Sequence, residues 1–209
     1  MRSRIVTLAA IALLAAGTAA YSQERPDIGA GRYEVAAFPA GGLFFTRSSD
    51  QREPEFGTYA LGASLTFHLN QFVGFEGEFG SAVGTHQSIT FQGRTLNDQR
   101  APSLYAYTGN VVLHPIGSNR RIAPYAAGGL GGITLLNNTE TSTIGITGKK
   151  NYLAGNVGGG VKWFAHRYFG LRGDYRLVMV NDRSTAPEFF GRREVRYGHR
   201  IYGGLIFNY

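Results

Sequence analysis

The sequence predicts an all-β fold: an eight-stranded antiparallel up-and-down transmembrane β-barrel preceded by a signal peptide. Apolar and polar residues alternate with a period of two through most of the chain, which is typical of strands with two different faces. The 30 glycines, 12 tyrosines and 14 phenylalanines favour many short strands and tight turns over helices. Long and short connections alternate between the strands, a rhythm typical of transmembrane barrels.

The N-terminal residues 1–20 have the parts of a secretory signal peptide. Arg2 and Arg4 precede an apolar run over 5–16, and small residues follow before the predicted cleavage point. The apolar run is shorter than the about 20 residues that a membrane-spanning helix needs. We therefore predict three parts, namely a signal peptide over 1–20, a short periplasmic lead-in over 21–31 and an outer-membrane barrel over 32–209.

Charge and cysteine content limit the possible partners and chemistry. The formal net charge is +7 and the chain contains no cysteine. A basic balance can indicate nucleic acid, but an exported chain does not meet nucleic acid, so we expect lipid or lipopolysaccharide phosphates as the anionic partners. The absence of cysteine excludes disulfides and cysteine-based metal or redox sites.

The first three predicted strands follow the lead-in. The first covers 32–45 and contains Pro39, which cannot donate a ladder hydrogen bond, so we expect a bulge or kink there. The second, over 59–69, has the clearest alternation in the chain. Residues 70–71 allow only a tight turn before the third strand, over 73–80.

Five more strands complete the predicted barrel. They cover 105–113, 124–135, 153–163, 169–179 and 197–209. The four long polar connections are 46–56, 83–102, 136–151 and 181–196. The strand over 124–135 is so rich in glycine and alanine that its faces cannot be assigned from the sequence. The strand over 197–209 alternates to its end, and in a closed barrel it would pair with the first strand.

Alternation alone does not decide which face of the barrel is inside. A soluble lipocalin-like barrel would turn its apolar face inward around a ligand. Aromatic residues near the strand ends instead fit the girdles of a membrane barrel, and the opposite face carries small residues and charges of both signs, as a narrow lumen requires. We therefore predict a lumen charge network of Glu76, Glu78, Lys162, Arg172, Asp174, Arg176 and Arg200.

Several segments resemble the bacterial outer-membrane β-barrel family that includes the OmpA membrane domain and the OmpX and Ail-like proteins. They are Glu-Gly-Glu-Phe-Gly at 76–80, Gly-Leu-Arg-Gly-Asp-Tyr-Arg at 170–176, Pro-Tyr at 124–125 and the aromatic end of the chain. The resemblance covers about the whole chain after the signal peptide. It implies the outer membrane of a Gram-negative bacterium, and a C-terminal signal at Phe207 and Tyr209 for the barrel-assembly machinery.

The predicted function is that of a non-enzymatic outer-membrane protein that acts through its loops. A rigid barrel would hold four long extracellular loops for envelope integrity or adhesion, with a monomer expected. Arg192, Arg193 and Arg196, in the last predicted loop, are candidates for contact with lipopolysaccharide phosphates. The alternatives are a narrow pore, a membrane-embedded lipid A-modifying enzyme and a soluble lipocalin-like ligand-binding barrel.

An enzyme would need a nucleophile, a base and an acid within reach of one another. The least poor set is His86 with Ser88 and Glu78, and no sequence motif supports it. The histidines are scattered without ligand spacing, so we predict no catalytic residues, no cofactor and no metal site.

Overall fold

The computed structural model describes residues 29–46, 55–91, 94–136, 149–184 and 194–209, and β-strands make up most of them. The strands are β1 (Tyr33–Phe45), β2 (Phe56–His68), β3 (Val73–Gly84), β4 (His86–Phe91), β5 (Arg94–Arg100), β6 (Ser103–Leu113), β7 (Ile122–Leu136), β8 (Lys150–His166), β9 (Phe169–Val180) and β10 (Arg196–Asn208). Within these ranges there is no helix long and apolar enough to cross a membrane.

Eight of the strands close into one antiparallel barrel in the order β1-β10-β9-β8-β7-β6-β3-β2. The last strand pairs with the first, with Val35 opposite Phe207 and Phe44 opposite His199. Closure satisfies the backbone hydrogen bonds of every wall strand, since a closed sheet has no edge. The predicted eight-stranded antiparallel barrel is thus confirmed.

The second long connection contains a hairpin that the sequence analysis missed. Strands β4 and β5 pair with each other in a separate two-stranded sheet, and β3 itself continues to Gly84. A strand is recognised from sequence when one of its faces is apolar. Most side chains described on this hairpin are exposed, and Ile89 is its one buried apolar residue among those described, so the segment has no clear period of two.

The apolar face of the barrel points outward. Leu65, Leu130 and Leu153 expose 56%, 70% and 61% of their surface, whereas Glu76 and Arg176 on the opposite face are almost completely buried. A soluble ligand-binding barrel has the reverse arrangement, with its apolar face around the cavity. The lipocalin-like alternative is therefore wrong.

The predicted bulge at Pro39 is present and changes which residues of β1 face inward. The register with β10 shifts between Ala37 and Ala40, and the register with β2 shifts over the same stretch. Phe38 is buried before the bulge and Leu43 after it, so the inward positions change from even to odd. Because of this change, the apolar side chains of Leu43 and Phe45 point into the barrel.

Pairing also settles the faces of β7, which its composition left open. Tyr125 and Ala127 are buried, while Ile122 and Leu130 are exposed, so the odd-numbered residues point into the barrel. The neighbouring strands impose this choice because inward and outward positions must match along every row of a sheet.

The two ends of the barrel differ in their connections. One end, here called the turn end, carries the short connections 69–72, 114–121 and 167–168. The other, here called the loop end, carries the connections 46–55, 85–102, 137–149 and 181–195. In transmembrane barrels the short turns lie on the periplasmic side.

Residues 29–30 cross the turn end and close it. The Ala30 N–H donates to the Ser118 carbonyl at 2.9 Å, and the Asn208 amide donates to the Gly29 carbonyl at 2.9 Å. Ser118 itself is tied to Gln71 by a 2.7 Å backbone hydrogen bond. Since β1 and the 114–121 turn are on opposite sides of the barrel, these bonds form a floor beneath the interior.

Candidate functional site: the barrel interior

Two arginines on β9 hold the centre of the interior. Arg172 Nη1 donates to Glu76 Oε2 at 2.6 Å, and Arg176 Nη2 donates to Glu76 Oε1 at 2.7 Å. Asn110 also donates to Glu76, at 3.1 Å. Alternate positions on β9 face the same side of the sheet, so the spacing of the two arginines places both guanidinium groups in the lumen.

Asp174 lies between the two arginines and accepts hydrogen bonds from both. Arg172 Nη2 donates to Asp174 Oδ2 at 2.8 Å, and Arg176 Nε donates to Asp174 Oδ1 at 3.2 Å. The Tyr125 hydroxyl donates to Asp174 Oδ2 at 2.5 Å and accepts from Arg172 Nε at 2.7 Å. The phenol of Tyr125 thereby links β7 to the charges of β9.

Two further ion pairs extend the network towards each end. On the loop-end side, Arg200 binds Glu78 through both guanidinium nitrogens, with the Nη2–Oε2 contact at 2.9 Å. On the turn-end side, Lys162 Nζ donates to Glu34 Oε2 at 2.8 Å. Both partners of the Lys162–Glu34 pair are fully buried.

The structure places all seven residues of the predicted network inside the barrel, and it adds Glu34. Four carboxylates face four cations, and each of these eight residues exposes at most 6% of its surface. They are Glu34, Glu76, Glu78, Asp174, Lys162, Arg172, Arg176 and Arg200. The pairing of opposite charges in this network fits an interior with little water, because an uncompensated buried charge is strongly destabilising.

Glu34 could have been found from the sequence. It lies on the polar face of the first predicted strand, between the apolar positions of Tyr33 and Val35. The predicted network gave Lys162 no acidic partner of its own, although a buried lysine needs one. Which acid pairs with Lys162 depends on β8 and β1 meeting across the lumen, and this contact between strands that are not neighbours has no sequence signal.

The half of the interior nearer the loop end is mostly apolar, although the buried side chain of Arg196 also lies there. Its walls include Phe45, Phe56, Leu104, Ile133 and Leu135, each at most 2% exposed. One interior space, lined in part by Leu104 and Ile133, has a volume of about 20 Å³. That is room for about one water molecule.

The three arginines proposed for lipopolysaccharide contact do not form one described surface. Arg192 and Arg193 lie outside the described residues. Arg196 is not in a loop as predicted: it is the first residue of β10, it is 1% exposed, and its guanidinium lies 5.8 Å from the Phe45 ring centroid. Its even position on β10 turns the side chain into the lumen, because Arg200 on the same face does the same.

The structure does not bring together His86, Ser88 and Glu78, the set considered for catalysis. His86 Nδ1 lies 3.1 Å from Asp98 Oδ1 on the hairpin, and the Ser88 hydroxyl donates to Asn97 at 3.1 Å. Glu78 is inside the barrel with Arg200. The described part of the chain also contains no cluster of three or more His, Cys, Asp or Glu side chains that could hold a metal ion.

Phe207 and Tyr209, the predicted assembly signal, both lie on the outer wall. They expose 45% and 76% of their surface, and the Tyr209 N–H donates to the Tyr33 carbonyl at 2.9 Å. Both side chains are therefore accessible from the membrane at the turn end.

A pair of buried histidines lies just above the floor. The rings of His68 and His114 are 5.3 Å apart, and His68 Nε2 lies 3.6 Å from Glu34 Oε2. Burial, reinforced by the nearby charge of Lys162, lowers the pKa of His114 from 6.5 to about 2. His114 is neutral in the folded barrel at any pH at which the unfolded chain begins to charge it.

We expect the barrel to lose stability as the pH falls below 6.5, since the unfolded chain then binds a proton at His114 and the folded barrel does not. Glu34, His68, Tyr125, Lys162 and Arg172 surround this imidazole and remain in a His114→Phe variant. Thermal unfolding in detergent between about pH 7.5 and pH 5 should show a smaller loss in the variant than in the wild type. Equal losses would show that His114 does not contribute.

The closed wall, apolar outside and charged inside, defines a transmembrane β-barrel. The sequence model of the family described as "Outer membrane protein beta-barrel domain" matches residues 6–194. The chain therefore belongs to the outer membrane protein β-barrel domain family, and its place is the outer membrane. No curated protein matches the chain.

Solved structures of outer-membrane barrels share the fold at low identity. Neisserial surface protein A (NspA) is 13% identical, with a TM-score of 0.61, and the match covers 87% of this chain and 99% of that one. Ail of Yersinia pestis, in complex with the heparin analogue sucrose octasulfate, is also 13% identical. Its TM-score is 0.50, and the match covers 85% of this chain and 99% of that one.

Proposed function

We propose that this chain is a non-enzymatic outer-membrane scaffold that presents four extracellular loops for attachment at the cell surface. The observation that carries the proposal is the filled interior. Eight paired charges occupy the middle of the barrel, mostly apolar side chains occupy the loop-end half, and residues 29–30 cross the turn end. A barrel filled in this way supports display at its rim better than transport through its lumen.

The hairpin of β4 and β5 is held on the rim of the barrel. Gln87 accepts from the Gly57 N–H at 3.0 Å and donates to the Gly57 carbonyl at 2.7 Å. The Ala101 N–H donates to the Thr85 carbonyl at 3.0 Å where the hairpin returns to the wall. A recognition element held in one orientation loses less entropy when it binds, so this anchoring favours attachment.

The interior also supports a role in envelope integrity. Ion pairs join β1, β3, β8, β9 and β10 across the lumen, so the wall resists deformation from several directions. The narrow-pore alternative has less support, because the loop-end space described in the interior is only about 20 Å³.

The test is to replace residues 86–100 with a short Gly-Ser linker and to measure attachment of expressing cells. Heparin-coated surfaces are the first to try, because Ail was solved with a heparin analogue. We expect attachment to fall to the level of cells that lack the protein, because the hairpin is the anchored display element. A heat-dependent gel shift of the variant would show that its barrel is folded.

Two outcomes would contradict the proposal. One is wild-type cells that attach no better than cells lacking the protein to any coated surface. The other is steady ion conductance of the purified wild type in planar bilayers, which would favour the narrow pore.

A further inference from the structure

An open groove runs down the outer wall from the loop end to the middle of the barrel. Its upper part has a volume of about 370 Å³ and lies on β6, β7 and β8 and the start of the 181–195 connection. Its lower part has a volume of about 660 Å³ and lies on β1, β2, β3, β6 and β7. The two parts share Tyr107 and Gly131 in their lining, so they are adjacent on the wall.

The upper part mixes polar and apolar groups and carries one cation. Among its described lining residues, Arg183 is the only charged side chain, and it donates to the Asn151 carbonyl. The Thr134 hydroxyl donates to Asn151 Oδ1 at 2.8 Å, and the Asn181 N–H donates to the Leu153 carbonyl at 2.9 Å. These bonds fix the guanidinium of Arg183, the side chain of Asn151 and the backbone of Asn181 at the rim. A guanidinium beside amide groups can bind a phosphorylated sugar.

The lower part is apolar and is deepened by two glycines. Gly77 and Gly109 are opposite each other on β3 and β6, and a Cβ on either would meet nothing within 4 Å. Phe79, Tyr107 and Leu130 stand around them, each at least half exposed. The result is a dent in the lipid-facing wall with tall apolar sides.

Tyr107 forms the passage between the two parts. It is opposite Gly132, and a Cβ added to Gly132 would lie 2.5 Å from the tyrosine hydroxyl, so the ring lies across that glycine. On β8, Asn151 lines the upper part of the groove. Gly155, four residues further along, is opposite Leu130, which is itself opposite Gly109 of the dent. Four residues of a strand span about 13 Å.

We propose that this groove binds one lipopolysaccharide molecule through its lipid A part. The phosphate lies against Arg183, the sugar lies against the amides of Asn151 and Asn181, and one acyl chain follows Tyr107 into the dent at Gly77 and Gly109. The inference rests on the proposed function in one respect, that the loop end is extracellular. Lipopolysaccharide is the occupant because a cation above an apolar furrow at that end complements an anionic head with aliphatic chains.

Native mass spectrometry of the purified protein in detergent, with purified lipid A added, tests the site from both ends. Arg183→Gln removes the cation, and we expect retained lipid A to fall about tenfold because a charge-assisted contact is lost. Gly109→Leu fills the dent, since a Cβ there meets nothing within 4 Å, and we expect a similar loss of about tenfold because the acyl chain is displaced.

The chain provides a matched control for each variant. Gly173 also faces outward with nothing within 4 Å of a Cβ, but on β9, outside the residues that line the groove, so Gly173→Leu should retain lipid A as the wild type does. Arg167 is an exposed arginine at the turn end, and Arg167→Gln should likewise have no effect.

Equal retention by Gly109→Leu and Gly173→Leu would overturn the proposal, and so would equal retention by the two arginine variants. If phosphatidylglycerol binds as well as lipid A and loses binding in the same variants, the occupant is a phospholipid and the assignment to lipopolysaccharide is wrong. None of these results depends on attachment by the hairpin, so failure here and failure of the proposed function are distinguishable.

Discussion

Replacing Glu76 with leucine is expected to lower the free energy of unfolding by about 3–5 kcal/mol, the typical effect of breaking a buried ion pair. Glu76 accepts hydrogen bonds from Arg172 at 2.6 Å and from Arg176 at 2.7 Å, in a site where all three side chains are buried. Leucine would remove one of the carboxylates that neutralise the guanidinium groups of Arg172 and Arg176. Urea unfolding of the protein in lipid vesicles measures the change.

The control for this variant is Glu55→Leu, which removes an exposed acid at the loop end. Its effect should stay within about 0.5 kcal/mol, as surface substitutions usually do. If Glu76→Leu unfolds at the same urea concentration as the control, the interior network does not stabilise the barrel. Such a result would also weaken the argument that the filled lumen is a rigid scaffold.

Gly160→Val is expected to destabilise the folded barrel strongly. A Cβ at Gly160 would lie 1.9 Å from the Gly173 carbonyl oxygen and 2.7 Å from the Tyr125 hydroxyl. The carbonyl belongs to the backbone of β9 and cannot move aside without opening the wall. We expect the ratio of folded to unfolded protein to fall about a hundredfold, near the upper end of what overpacking costs, about 3 kcal/mol. The ratio of heat-shifted to unshifted protein on a gel measures it.

Gly173→Val is the matched control, since this glycine is on the facing strand but points outward. A Cβ there meets nothing within 4 Å. The variant should fold as the wild type does, because valine suits a lipid-facing strand position. Equal folded fractions for the two variants would mean that the wall moves at Gly160 to make room.

The site was partly predictable for a physical reason. Inward charges alternate with outward apolar residues along one strand, so Arg172, Asp174 and Arg176 can be recognised from β9 alone. Their partners are on other strands, and the approach of Glu34 to Lys162 crosses the lumen. Contacts of that kind depend on barrel diameter and stagger, which no local pattern encodes.

Arg196 shows where a local interpretation went wrong. Arg196 stands among polar residues at the end of a connection, so the local sequence indicates a loop. Its pairing with Val180 makes it part of the wall. The hairpin of β4 and β5 is the opposite case, because its strands lie outside the barrel and so show no apolar face. In both cases the local sequence pattern did not indicate where a strand begins or ends.

The sequence by itself determined the class of fold, the strands of the wall and the face of most of them. This was possible because a membrane barrel must alternate apolar and polar residues along each strand, and because bilayer thickness sets strand length. Tertiary structure alone decided the faces of β7, the pairing of charges, the floor at residues 29–30 and the groove on the outer wall. Each of these depends on register between strands, since a shift of one residue would turn every side chain of a strand to the other face.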